Sequence, residues 1–492
     1  MTERYIVAIE TGSSKIRGAA AVADESGMLD VVAVEEEKLI DSVRYGCIQN
    51  IDVSKAIERV CERLESSSAL QEGTITGVYV AMGGRSLRSD MVTVATELPA
   101  EMEITPAIIE DLKAKARAAS DASRDVAAVV PVRFTVDNKT QANPVGTFGQ
   151  SVGARMAVLT CAPQIKRMLR RVIEERLGMK IQDYIVRPLA EAALVLTDDE
   201  RRLGCMFVDF GAETTTVAIF KNDAPAYLVT LPMGSRNITI DLTSLNYIEE
   251  RAEEIKRISG NAMPAEGPRR PGVDGIDYSE VNTYVNARAS EIIQNIVAQL
   301  EYAGMKAADL PGGIVIVGGG ARLRGFSDLL GKHSKMKVRN GAVTGSVRIS
   351  DSHINAGDYI DVISILQAAA RLPETECVEF PEETETPEHT ADGDYESMYA
   401  DADDDEGTSR IGRGYDDDND DDDDDDRRRK RSRRDRQEKG APQRRRTAAK
   451  DDEFIDDDIT DDEEMHRSSG IFSKLKNKLT NIFDGDGDDN FK

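Results

Sequence analysis

From Tyr5 to Val22 the chain reads YIVAIETGSSKIRGAAAV, an apolar run, a short break containing glycine and serine, and a second apolar run. Such runs predict two buried strands joined by a hairpin turn. Roughly two hundred residues later the pattern returns as CMFVDFGAETTTVAIF: a buried strand, a turn opening at Asp209-Phe210-Gly211, and a second strand led by three threonines. A third run, Ile314 to Val317 in GGIVIVGGGARLRGF, is apolar without alternation, as a strand buried on both faces is. It ends on Gly318, Gly319 and Gly320, and the turn that follows leads into a helix. Strands alternating with helices place the chain in the α/β class, with sheets covered by helices.

The periodicity changes again in Ser468 to Phe483, SSGIFSKLKNKLTNIF. At about 100° per residue, Ile471, Phe472, Leu475, Leu479, Ile482 and Phe483 fall within an arc of roughly 120°. Lys474 and Lys478 flank one edge of that arc and Lys476 the other, where ammonium groups can snorkel towards anionic headgroups while the apolar face sinks beneath them. Ser468 or Ser469 can cap the start, and the GDGDDN run stops the helix. The spacing predicts an amphipathic helix over 468–484 that lies on a membrane surface; a helix docked on its own core is the alternative.

The segment before it bears on that choice. From Glu374 to Arg467 there are 37 acidic and 16 basic residues, a balance of −21 that carries most of the formal net charge of −27. Asp416 to Asp426 is almost unbroken Asp, and Arg427, Arg428, Arg429, Lys430, Arg431, Arg433 and Arg434 follow at once. With few aliphatic residues the segment cannot offset its ordering entropy, so 374–467 is expected to be a disordered charged linker. A coil of about 94 residues reaches roughly 50–60 Å on average, a tether that a core-docked helix has no use for. The basic block fits a second membrane contact better than nucleic acid, because the adjacent Asp run competes for its charges; self-neutralisation is the default. No apolar run reaches 18 residues and no signal pattern opens the chain, so neither a spanning nor a secreted protein is expected. Cys47, Cys61, Cys161, Cys205 and Cys377 are scattered without CxxC spacing, which fits a reducing cytoplasm and argues against zinc.

Gly12, Ser13, Ser14 and Lys15 bring backbone N–H groups, hydroxyls and an ammonium to the first turn, the donors a phosphate needs. Gly211, Thr214 and Thr215 bring backbone N–H groups and hydroxyls to the second. Two such hairpins facing each other can clamp a nucleotide's phosphates, with Glu10 and Asp209 placed to hold Mg²⁺ through waters. The glycines at 318–320 let the backbone approach a purine or ribose face. In the order hairpin, hairpin, Gly-rich strand end, these segments resemble the phosphate-1, phosphate-2 and adenosine motifs of the actin, Hsp70 and sugar-kinase ATPase superfamily. Arg187-Pro188-Leu189-Ala190-Glu191-Ala192-Ala193 and Ile354 to Arg371 sit where that superfamily places its two interdomain helices.

Within the superfamily, residues 1–371 are similar to the FtsA family. IVAIETGSSKIRG resembles its first phosphate loop, and VVPVRFTVDNKTQANPVGTFGQSVGARMAVLTC the segment typical of its extra subdomain. Gly234 to Asp241, followed by Ala252-Glu253-Glu254-Ile255-Lys256, resembles its adenosine-side helices. The resemblance implies an actin-like two-lobed fold: subdomain 1A over 1–81, an SHS2-like 1C subdomain over 82–162, and a second lobe 2A over 163–373 with a 2B-like insertion near 233–312. It implies ATP and Mg²⁺ as ligands, with Glu253 and Lys256 joining Gly318, Gly319 and Gly320 around the adenosine. The partners it implies are the tubulin-like protein FtsZ, further copies of the chain in a protofilament, anionic membrane lipids, and downstream division proteins through 1C. The place is the cytoplasmic face of the membrane at the division site. Glu10 departs from the family's usual Asp, Glu213 sets a negative side chain near the polyphosphate, and Thr216 removes a second carboxylate. Slow turnover is therefore expected, and no residue is assigned to catalysis. The rivals are a pilus or secretion scaffold of related fold, and a small-molecule kinase with Glu191 or Glu213 as its base.

Overall fold

The computed structural model describes residues 4–24, 28–264, 276–344, 347–351, 353–373 and 376–381. The expected helix over 468–484, with its candidate lipid-contacting residues, and nearly all of the expected linker lie outside the described residues.

The first hairpin forms as β1 (Arg4–Thr11) and β2 (Lys15–Ala23), extended by β3 (Leu29–Lys38) into an antiparallel meander. Helix α1 (Val53–Glu65) buries Val53, Ala56, Ile57, Val60 and Leu64, one stripe at helical spacing. It also supplies the crossover that a parallel strand needs, and β4 (Gly77–Met82) then pairs parallel to β1. An insert follows: β5 (Arg88–Glu103), α2 (Pro106–Ala118), β6 (Asp125–Val136) and β7 (Phe148–Cys161). It has its own core, built on Ile104, Leu112, Phe134, Met156 and Val158. Its first strand also touches the second lobe, through a register pair between Arg88 and Val229 and a hydrogen bond from Leu228 N to Ser89 Oγ (2.8 Å).

The chain next returns to the first sheet through α3 (Pro163–Arg170) and β8 (Lys180–Val186), which pairs parallel to β4. This corrects the expected start of the second lobe at residue 163. The apolar residues Ile181, Ile185 and Val186 belong to the first core, and the crossing to the second lobe comes only with α4 (Arg187–Val195).

The second lobe repeats the first. Strands β9 (Cys205–Phe210), β10 (Thr215–Lys221) and β11 (Ala224–Leu231) form an antiparallel meander. Helices α5 (Ser235–Thr243), α6 (Glu249–Ser259) and α7 (Tyr278–Tyr302) lie before β12 (Ile314–Val317), which adds parallel to β9 and leads to α8 (Phe326–Ser334). The stretch expected as a 2B-like insertion thus shares one core with the sheet, Ile238, Ile255 and Ile292 packing with Val208 and Ile316. Helix α9 (Ile360–Ala369) packs against α4 and β1.

The folded core extends past the expected linker start at 374. Val378–Glu379 pairs with Thr74–Ile75, Cys377 and Val378 are buried, and the Phe380 ring lies 5.0 Å from that of Tyr5. These apolar residues are masked in the sequence by acidic neighbours. Among the described residues no helix is long and apolar enough to cross a membrane.

At the end of β12 the backbone passes so close to a stacked aromatic pair, Phe210 and Phe326 (centroids 4.4 Å apart), that a Cβ on Gly320 would lie 2.6 Å from the Phe210 ring. A Cβ on Gly319 would meet nothing within 4 Å. Gly320→Ala is expected to lower stability by about 1–3 kcal/mol, and Gly319→Ala by far less. Equal losses in chemical denaturation would contradict this packing.

Candidate functional site

The two meanders turn in the same way. Gly12 N donates to Lys15 O and Gly211 N to Thr214 O, both at 2.9 Å. A Cβ on either glycine would sit 3.0 Å from that same carbonyl. Two residues before each glycine stands a buried carboxylate, Glu10 on β1 and Asp209 on β9.

Both carboxylates converge on Arg187, the first residue of α4. Its Nη1 donates to Glu10 Oε1 at 2.5 Å and its Nη2 to Asp209 Oδ2 at 2.6 Å. Glu191, one helical turn on, brings Oε1 to 3.5 Å from Arg187 Nε. Burial opposes the guanidinium's charge, but Asp209, Glu191 and Glu10 outweigh it and hold Arg187 firmly protonated. Burial raises the Glu10 carboxyl to about 7 despite the opposing pull of Arg187. Burial, reinforced by Asp209, holds Glu191 well above the usual carboxylate range, with Arg187 opposing. Burial also raises Asp209, with Arg187 opposing. Beside this group, Asp361 of α9 pairs with Arg17, whose guanidinium lies 5.3 Å from the Tyr359 ring centroid.

The other expected site residues take up defined positions. Lys15 pairs with Glu36 on β3, Ser13 Oγ accepts from Gly46 N (3.3 Å), and Ser14 O accepts from Leu39 N (2.9 Å). Thr214 is buried in the second turn; Thr215 Oγ1 donates to Met233 O (2.8 Å), and the Thr216 and Thr230 hydroxyls pair at 3.0 Å. Glu213 is buried and fully engaged, accepting from Tyr45 N (2.7 Å) and Arg236 Nη1 (2.9 Å), with Arg44 Nε at 3.3 Å. Arg236 also reaches Asp41 (3.0 Å), so Glu213 ties the lobes together at this point.

On the other side of the second turn, the amino end of α5 sits on it through Ser235 N to Gly211 O (2.9 Å) and Arg236 N to Ala212 O (2.7 Å). Val317 is in register with Asp209, so Gly318 follows directly beside it: a Cβ there would lie 2.7 Å from Asp209 Oδ1. Buried Lys256 donates to Thr239 Oγ1 (2.9 Å), Ser235 O (3.1 Å) and Glu253 Oε2 (2.5 Å), pinning α6 to α5. Its burial lowers its pKa, with Glu253 opposing. Gly12, Gly211, Gly318 and Gly319 thus converge on one junction, with Lys256 and Glu253 on its α5–α6 flank.

The donor set does not fit Mg²⁺. Glu10 Oε1 and Asp209 Oδ2 each accept from the guanidinium, and among the described residues no three His, Cys, Asp or Glu side chains are placed to hold a metal ion. Sequence reasoning missed Arg187's part. The available signal was charge balance: Glu10, Asp209 and Glu191 on converging elements demand a cation, and Arg187 opens the helix between them.

Duplicated meanders, each presenting a carboxylate and a glycine turn to a junction spanned by two packed helices, define the two-lobed actin-like class. The type IV pilus PilM–PilN complex shares this fold, with a TM-score of 0.53 at 14% identity, covering 75% of this chain and 99% of that one. The family model for cell division protein FtsA matches residues 206–360, and that for the SHS2 domain inserted in FtsA matches residues 84–160. The cell division protein FtsA of Porphyromonas gingivalis is 35% identical over 366 residues, 70% of this chain and 76% of the relative. That of Borreliella burgdorferi is 25% identical over 372 residues, 72% and 88%. The chain belongs to the FtsA family of cell-division proteins.

Removing the cation should be far worse than replacing Glu191 by its amide. Arg187→Met leaves Glu10 and Asp209 buried beside each other and is expected to cost about 3–5 kcal/mol at neutral pH. Acidification neutralises those carboxylates, so the deficit should shrink as pH falls. Glu191→Gln keeps the shape and polar atoms of a group whose burial already disfavours its charge, with an expected change within about 1 kcal/mol. Urea denaturation at neutral and mildly acidic pH checks all three. A deficit independent of pH would assign the loss to packing instead of charge.

Proposed function

We propose that this chain binds ATP at the junction of its lobes, self-associates into an actin-like protofilament, and anchors FtsZ polymers to the membrane through the amphipathic segment 468–484. The observation that carries the nucleotide reading is the pair of matched turns, closed by Gly12 N to Lys15 O and Gly211 N to Thr214 O, with the glycines at 318–320 beside the second. Phosphate oxygens would take backbone N–H groups from both turns, with the Ser13, Ser14 and Thr214 side chains and Lys15 at hand. The α5–α6 flank with Glu253 and Lys256 would face the adenosine. Glu213, engaged with Arg236, Arg44 and Tyr45 N, puts its charge into a tie between the lobes.

The same contacts weigh against a kinase. Glu213 is fully engaged and Glu191 is buried against Arg187, so neither is poised as a general base. ATP in this reading is a structural ligand that favours the closed, polymer-forming state, with slow turnover at most. The shared fold with the type IV pilus biogenesis complex supports the architecture only, and family membership favours the division role.

The attachment would work by avidity. One helix of this size binds lipid weakly and reversibly, while many tethered to one polymer extend its residence through effective concentration. The insert would be the surface for downstream division partners.

The test is co-sedimentation of the full chain with anionic vesicles and FtsZ polymers, beside a Phe472→Glu, Leu479→Glu double variant. FtsZ is expected to pellet with vesicles only alongside the unmodified chain. If neither form recruits FtsZ, the adaptor reading fails and a scaffold without a lipid anchor gains.

A further inference from the structure

The nucleotide reading places a polyanion beside Glu10 and Asp209, and such a pairing of like charges requires a cation. We propose that Arg187 is that cation: its guanidinium takes the position a hydrated divalent metal would need, so that this chain binds ATP without Mg²⁺. The inference rests on the nucleotide reading and deepens it by naming the ionic form of the ligand, the metal-free nucleotide.

The geometry supports the substitution from several sides. Arg187 is held from both lobes at once, by Glu10 at 2.5 Å and Asp209 at 2.6 Å, the two side chains otherwise placed to hold metal-bound waters. Both bonds join a guanidinium to a carboxyl group and are charge-assisted. An entering metal would have to break them and leave an arginine stranded in a buried setting. A guanidinium carries five N–H groups. Glu10 and Asp209 take two, and the buried Nε faces Glu191 Oε1 at 3.5 Å, which leaves the second hydrogens of Nη1 and Nη2. Donors therefore remain on the group that already neutralises the carboxylates. Gly83 passes close by, where a Cβ would lie 3.9 Å from the centre of the guanidinium. Planar, delocalised and weakly hydrated, arginine suits phosphate recognition at a dry site better than lysine does.

The experiment is equilibrium dialysis of ATP against the full chain, once with Mg²⁺ and once with excess EDTA. The expected result is a Kd that differs by less than about threefold between the two conditions. Arg187→Gln keeps a polar side chain but removes the charge, and its ATP affinity should fall at least about tenfold in EDTA and recover in part with Mg²⁺. In the same variant, titration with Mn²⁺ followed by electron paramagnetic resonance should reveal a bound ion that the unmodified chain does not take up. Should Arg187→Gln not fold, Arg187→Lys retains the charge and is expected to keep the indifference to EDTA.

A loss of about tenfold or more in EDTA by the unmodified chain would overturn the inference while leaving the nucleotide reading in place. Uptake of Mn²⁺ by the unmodified chain at this site would overturn it as well. No binding of ATP in either condition would remove the nucleotide reading and this inference together.

Discussion

Three buried carboxylates, Glu10, Asp209 and Glu191, meet where the lobes join, and the arrangement is tolerable only because one guanidinium stands among them. Fully dry ion pairs are weak sources of stability, since desolvation consumes most of the attraction. What this cluster supplies is geometry. A single rigid fork accepts Glu10 from the first lobe on one nitrogen and Asp209 from the second on another, fixing the relative position of the two hairpins that carry them. The location of the fork goes against a local preference, because the first turn of a helix favours an anion over a cation. Arginine at the start of α4 is held by what surrounds it.

The duplication follows from this junction. Each lobe is a three-stranded meander with a parallel strand added beside its first strand, and each meander sends its turn towards the other. A glycine two residues after the carboxylate lets the chain close the turn on itself, with N–H to carbonyl distances of 2.9 Å in both cases. The lobes are not interchangeable, however. The first hairpin leaves Ser13 and Lys15 in contact with neighbouring elements of its own lobe, while the second sends Glu213 across to Tyr45 and Arg44. The insert adds another link between lobes through Arg88 and Val229.

Much of this was legible in the sequence because buried strands and tight turns leave strong local patterns. Ile314–Val317 forms the strand that its unbroken apolar run predicts, and both hairpins turn at the predicted glycines. Less legible was anything decided by distant partners. Strand Lys180–Val186 looks like any short strand, and only its pairing with Gly77–Met82 assigns it to the first lobe. Val378 and Phe380 sit among acidic residues that read as linker, yet they find apolar neighbours on the first lobe. Glu213 read as a charge aimed at phosphate because its partners, Arg44 and Arg236, lie far away along the chain. Arg187 read as the beginning of a helix, since its meaning lies in carboxylates from two other elements.

A cation built into the chain behaves differently from one that arrives with a ligand. A bound metal can leave with a spent nucleotide, so the carboxylates beneath it must be able to tolerate its departure. A guanidinium anchored on α4 stays, and the two hairpins remain tied whether or not anything lies between them. A second tie, from Glu213 to Arg236 and Arg44, joins the lobes further out and likewise needs no added ion. Glu213 is buried in that tie while Arg44 and Arg236 keep part of their side chains in solvent, so the cluster reaches from the interior to the rim of the junction. The junction is thus tied at its floor by Arg187 and towards its rim by Glu213, in both cases through charged side chains of the chain itself.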